Sequence, residues 1–160
     1  MLLRQGERVI LNEDYFAISP KLLWRQTAQY PIVAVDYTGI WFGRSIQAGI
    51  IREEYKKFIS YEYLCAILNS KYIRLIYENN VKETGRVFPQ VKLEKLKPLP
   101  IIIPKPEQQQ SIVSLANRIF SIKKTDSNAD TSKLEQEIDK LVYELYGLTE
   151  DEVKVVEGGA

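Results

Sequence analysis

Arg25, Gln26 and Thr27 close the apolar run Leu22-Leu23-Trp24 with three different hydrogen-bonding chemistries in a row. Arg matches the O6/N7 edge of guanine, Gln the N6/N7 edge of adenine, and Thr can bond a phosphate oxygen. A second group is Arg44 and Ser45, within the aromatic- and glycine-bearing stretch Trp41-Phe-Gly-Arg-Ser-Ile-Gln47. A third is Arg86, Gln90 and Lys92, which fall on one side of an extended segment because side chains alternate along such backbone. Together these residues could read base edges and follow a phosphate strand. A plainer reading stands beside each group. Arg25 could pair with a carboxylate at the core edge, the aromatic residues could be core, and the polar alternation, like Lys92, Lys95 and Lys97, could be solvated surface.

The remaining chemistry is sparse. The chain of 160 residues contains no histidine, which removes Ser-His and Cys-His nucleophile pairs, an imidazole base and His-containing zinc sites. Asp36 is a lone acid after a strand, and a turn role suits it better than catalysis. Cys65 is the single cysteine, lies on an apolar helix face and cannot form an internal disulfide, in keeping with a reducing, cytoplasmic setting. Asn79-Asn80 is not followed by Pro-Pro, and Glu53-Glu54 precedes Lys56-Lys57 in the wrong order for an Asp…Glu-x-Lys nuclease centre. No glycine-rich phosphate loop is present. No catalytic residue and no metal ligand is assigned, and the chain is not expected to be an enzyme by itself.

Net charge is +1, but it is unevenly divided. Residues 1–130 carry 19 basic and 13 acidic side chains, and residues 131–160 carry 3 and 8. A basic body permits a nucleic-acid face; an acidic helix surface at the C-terminus explains the division equally well. Met1-Leu-Leu-Arg4 lacks the apolar core of a signal peptide, and no run reaches the roughly 18–20 apolar residues of a membrane span.

These groups must be positioned by short strands followed by helices. Strands are expected at 15–18, 22–25, 32–35, 40–42 and 45–51, with Gly49 as a bulge. Residues 1–13 show no clear periodicity. Helical spacing begins at 59, with Leu64, Ile67 and Leu68 on one face and Ser60 as N-cap. Asn69-Ser70 interrupts it, and Ser70 caps a second helix through Tyr72, Ile73, Ile76 and Tyr77. Prolines 98, 100, 104 and 106 hold the chain extended, with Ile101-Ile102-Ile103 as a buried strand. Pro106 then opens a helix with Ile112, Leu115, Ala116 and Ile119 at i, i+3, i+4, i+7. Residues 123–131 read as a mobile loop. Ser132–Glu135 and Thr149–Glu152 read as capping boxes, with Gly147 stopping the helix between them. The fold class is α/β (α+β): a small twisted sheet of five or more short strands with four to five helices.

Three blocks carry a resemblance to a known family. Leu96-Lys-Pro-Leu-Pro-Ile-Ile-Ile-Pro-Lys-Pro-Glu-Gln-Gln-Gln-Ser-Ile-Val113 is similar to the L-P-I-P-x-P-x-x-E-Q-Q-x-I-V signature of restriction–modification specificity domains. Tyr61-Glu-Tyr-Leu-Cys-Ala-Ile-Leu-Asn-Ser70 resembles their Y-L-x-A-L-L-N-S helix–turn–helix. Glu137-Ile-Asp-Lys-Leu-Val-Tyr-Glu-Leu-Tyr-Gly-Leu-Thr-Glu-Asp-Glu152 resembles the ending of the TaqI-like, fused type IIG enzymes and adenine methyltransferases. The resemblance implies a target-recognition domain over 14–156, preceded by a segment 1–13 of a longer parent chain and followed by a tail 157–160. It implies double-stranded DNA as partner, alongside a catalytic methyltransferase or nuclease domain of the same parent, with S-adenosylmethionine and Mg used by that parent. DNA contacts would fall to Arg25, Gln26, Thr27, Arg44, Ser45, Arg86, Gln90 and Lys92, with base choice in the loops around 26–30, 36–49 and 81–92. The alternative is an interaction domain whose helices at 132–156 dock onto a methyltransferase or partner subunit.

Overall fold

The structure, a computed structural model, describes residues 2–5, 8–11, 16–81 and 90–158. Among them the chain forms five strands and seven helices, a mixed α/β fold. The strands divide between two antiparallel sheets. β1 (Leu2–Gln5) and β2 (Arg8–Leu11) pair with each other, Leu2 opposite Leu11. Their apolar runs do not alternate with polar residues, which is why this stretch gave no period.

The second sheet has the order β4-β3-β5, with β3 (Lys21–Arg25) between β4 (Val33–Asp36) and β5 (Ile46–Gly49). Both neighbours run antiparallel to β3, so they are parallel to each other. Asp36 ends β4 opposite Lys21, whereas Ile46 begins β5 opposite Arg25. Residues 37–45 must therefore travel the length of the sheet and cross from one edge to the other. Ile40–Phe42, expected as a strand, lies in this crossover and joins no ladder. Phe16 and Ala17 take a helical turn rather than the expected strand, and the Ser19–Pro20 peptide beside them is cis. Gly49 is not a bulge: it pairs in register with Leu22, and a Cβ there would stand 3.2 Å from the Trp24 ring.

A buried ion pair ties the start of the sheet together. Lys21 Nζ lies 2.5 Å from Asp36 Oδ2, and it also donates to the carbonyls of Phe16 (2.9 Å) and Ile18 (3.1 Å). Asp36 in turn accepts from the backbone N–H groups of Thr38 and Ile40, the turn role its position predicts. Burial pushes the Asp36 carboxyl up, but Lys21 and these N–H donors outweigh it and hold it at about 2.

Helices cover one face of the sheet. The long ones are α2 (Tyr61–Asn69), α3 (Lys71–Val81), α5 (Pro106–Thr125), α6 (Ser132–Tyr146) and α7 (Glu150–Val156), where helical spacing predicts them. Two single turns are added, α1 (Glu53–Lys56) and α4 (Leu93–Leu96). α2 packs on β3 and β4, α5 packs on α2 and α6, and α3 contacts α6 and α7. The core between them contains Trp24, Val33, Tyr63, Ile67, Ile73, Ile112 and Val142, all buried. This burial is the main stabilising term.

The proline-rich segment departs from expectation. Ile101–Ile103 is extended but pairs with no strand, and Ile103 is exposed. Tyrosine hydroxyls satisfy its carbonyls instead: Tyr63 Oη donates to Ile102 O (2.8 Å) and Tyr146 Oη to Pro100 O (2.5 Å). Pro100 and Pro104 have no N–H to offer a ladder, so carbonyl-only partners are the fitting solution. The loop after α5 begins at Asp126, not Lys123, because the last turn of the helix continues through two lysines that favour its C-terminus. The first expected capping box does not form: Thr131 is the N-cap, and its side chain makes no cap hydrogen bond. Ser132 is already helical, its N–H donates to Asp130 Oδ1 (2.9 Å), and Thr131 Oγ1 donates to Glu135 (2.6 Å). Gly147 ends α6 at φ 68°, and the Thr149–Glu152 box forms as expected.

Candidate nucleic-acid interface

The end of β3 is built as a knot of three chain segments around Gln26. Its N–H donates to Ser45 O (2.8 Å), at the end of the crossover, and its C=O accepts from Val91 N–H (2.8 Å). One residue further on, Thr27 forms an antiparallel bridge with Gln90. Residues 25–27, 44–45 and 90–92 are distant in sequence, and this backbone bonding brings them to one end of the sheet.

Their side chains differ in access. Arg25, Thr27, Arg44, Ser45 and Gln90 are exposed, while Gln26 and Lys92 are half-buried. Among the described residues Arg25 and Arg44 have no ion-pair partner, so the plainer reading of Arg25, a pair with a core-edge carboxylate, finds none there. The carbonyl of Lys92 accepts from the N–H groups of Lys95 (2.9 Å) and Leu96 (3.2 Å), starting α4. Lys95 reaches back to Asn80 O (3.1 Å), a structural role. Arg86 lies outside the described residues. The edge can therefore offer guanidinium, amide and hydroxyl donors to base edges and phosphates.

The crossover that delivers Arg44 and Ser45 carries an aromatic group. Phe16 is buried and stacks on Trp41 (ring centroids 4.9 Å apart, 11° between planes), with Phe42 tilted against it at 4.8 Å. Trp41 itself is 57% exposed, so it is surface rather than core. Gln47 is less available than its sequence position implies, since its Oε1 accepts from Trp24 Nε1 (2.8 Å).

Residue types alone do not reveal how the motif residues act. Asn69 donates from Nδ2 to Val33 O (2.8 Å) and accepts at Oδ1 from Val33 N–H (2.9 Å), closing the outer edge of β4. Cys65 adds a thiol bond to the same carbonyl (3.3 Å). Burial pushes that thiol up to about 12, so it is held protonated and unreactive, with the nearby Glu62 carboxylate adding to the effect. Gln109 repeats the device, donating to Phe58 O (2.9 Å) and accepting from Ser60 N–H (2.9 Å). Gln108 Oε1 accepts from Lys105 N–H (3.2 Å) at the start of α5. Buried Asp139 accepts from Lys71 N–H (2.9 Å) at the first turn of α3. Ser60 Oγ accepts from Tyr63 N–H (3.2 Å), the expected N-cap. Asn69, Gln109 and Asp139 each belong to one of the three motif blocks, and each holds the frame rather than facing the knot at Gln26.

Residues 3–101 match the family model of the TaqI-like C-terminal specificity domain. The chain belongs to that family. The match spans the sheet, the knot at Gln26 and the α2–α3 pair, and it ties the chain to DNA target recognition in restriction–modification. A TaqI-like specificity domain is not itself catalytic. Among curated proteins no match to the chain is found. No helix among the described residues is long and apolar enough to cross a membrane.

Proposed function

We propose that this TaqI-like specificity domain reads double-stranded DNA through the end of β3 and positions an adenine methyltransferase, with or without a nuclease, on its site. The supporting observation is the knot at Gln26, which gathers Arg25, Gln26, Thr27, Arg44, Ser45, Gln90 and Lys92 from three segments onto one edge. Arg86 belongs to the same proposal through its sequence position. Arg25 acts as the base reader and Lys92 as a phosphate contact. Among the described residues no three His, Cys, Asp or Glu side chains gather as a metal site requires. S-adenosylmethionine and Mg are assigned to the catalytic part of the parent enzyme, and a cytoplasmic location fits that role.

A groove supports the alternative of an interaction domain. It has a volume of about 1200 Å³ and lies between β4, the α2–α3 junction, α5 and α6, with Ile32, Tyr37 and Phe120 on its walls. A catalytic domain could dock there while the sheet end meets DNA.

Selection from a random duplex pool by the full-length protein tests the proposal. Wild type should enrich one motif. Arg25→Ala should lose preference at a single position, at a cost of about 1–3 kcal/mol for a bidentate contact. Lys92→Ala should keep the motif and bind every sequence more weakly. Unchanged affinity and motif in both variants would move the DNA surface elsewhere and favour the docking role.

A further inference from the structure

We propose that Trp41 is a stacking platform for a DNA base that has lost a stacking neighbour, at a step beside the recognition edge. This rests on the reading that the end of β3 contacts DNA.

The ring is fixed before any ligand arrives. One face is stacked on Phe16, itself buried, at 4.9 Å and 11°. The loop beneath it is pinned from both sides. Asp36 accepts from Thr38 N–H and Ile40 N–H, both at 2.9 Å, and Gly39 lies close against Ala17, where a Cβ would stand 3.2 Å from the Ala17 carbonyl oxygen. Downstream, Ile46 N–H donates to Gly43 O (3.1 Å). A side chain held in one orientation loses little entropy on binding. Yet Trp41 remains 57% exposed. Tyr37, also exposed, differs because its hydroxyl bonds Glu62.

Chemistry and position name the ligand. An intact duplex shows proteins its phosphates, sugars and base edges, while base faces are covered by neighbouring pairs. A flat aromatic surface is matched by the face of a base that is unpaired or wedged away from its neighbour. Trp41 precedes Arg44 by three residues, so their Cα atoms lie within about 11 Å. Arg44 holding a phosphate therefore puts Trp41 within reach of the same or an adjacent nucleotide. The crossover would then supply a charge contact at its Gln26 end and a stacking contact nearer its Asp36 end, where Ile40 N–H is held.

Fluorescence anisotropy with the 160-residue chain provides the test, using a perfect duplex and the same duplex carrying one unpaired 2-aminopurine. Wild type should prefer the unpaired form about tenfold, in the range that one base–aromatic stack supplies. Its 2-aminopurine emission should be quenched on binding. Trp41→Ala should lose both the preference and the quenching while still binding perfect duplex. Trp41→Phe should keep most of both, and its urea midpoint controls for folding. Duplex binding with equal preference in wild type and Trp41→Ala would overturn the platform and leave the proposed function standing. Failure of wild type to bind either duplex would overturn both.

Discussion

The side-chain amide of Asn69 pairs with both backbone groups of Val33, accepting at 2.9 Å and donating at 2.8 Å, as a neighbouring strand would. Gln109 does the same for Ser60 N–H and Phe58 O at the other end of α2. Helix α2 is thus clamped at entry and exit by amides that can donate and accept at once. A carboxylate, which only accepts, or an ammonium, which only donates, could not do both. Asn69→Ala and Gln109→Ala should each lower stability by about 1 kcal/mol, the net value of such bonds at partly exposed sites. Asn69→Asp should cost more, because it keeps an acceptor but turns a carboxylate toward Val33 O. Urea unfolding checks this, and wild-type midpoints in these variants would remove the clamps from the account.

A second dependence concerns acid. Asp36 is held at about 2 against an ordinary 3.8, so the folded chain binds this proton less readily than the unfolded chain. Its contribution is therefore fully present above pH 3.8 and is lost as pH falls towards 2. Asp36→Asn should flatten this acid limb. It also strands the Lys21 ammonium, which is 0% exposed, so a loss of about 3–5 kcal/mol is expected at neutral pH. Lys21→Met combined with Asp36→Asn should recover much of that loss. Unfolding curves from pH 2 to 7 distinguish these outcomes.

The helices were legible because each signal was local. Ser60, Pro106, Gly147 and Thr149 mark boundaries by their own chemistry, and apolar spacing marks the buried faces. The misread strands depend on partners distant in sequence. Ile40–Phe42 and Ile101–Ile103 have strand-like composition, but one is spent crossing the sheet and the other is fenced by prolines and bonded by tyrosines. The candidate site was legible as residue types at 25–27, 44–45 and 90–92. Its cohesion was not, because the bonds that join it at Gln26 are backbone bonds that any sequence could make. The family blocks carried the opposite kind of information: Asn69, Gln109 and Asp139 report a frame, and a frame can be shared by domains that read different sites.

Gly49 offers a test of the sheet itself. Its missing side chain leaves room for the Trp24 ring, 3.2 Å from where a Cβ would stand, and Trp24 in turn orients Gln47. Gly49→Ala should push the ring aside and cost about 1–3 kcal/mol, as overpacking does. A shift in the emission of buried Trp24 should accompany it, best read in a Trp41→Phe background. An unperturbed spectrum and midpoint would mean that the ring has space elsewhere.

The last prediction concerns salt. The chain has a net charge of +1, and few cations lie at the proposed edge, so the isolated domain should bind duplex DNA weakly. The slope of log K against log salt should be shallow, because each phosphate contact contributes only about −0.9. Arg44→Ala and Lys92→Ala should each flatten it by about one contact, and the double variant by about two. Lys124→Ala, in the C-terminal turn of α5, should leave it unchanged. Titrations at several salt concentrations measure wild type and all four variants. A slope equally reduced by Lys124→Ala would mean that diffuse charge, not the edge at β3, drives binding. A steep wild-type slope would mean that more of the surface touches the backbone than the knot at Gln26 presents.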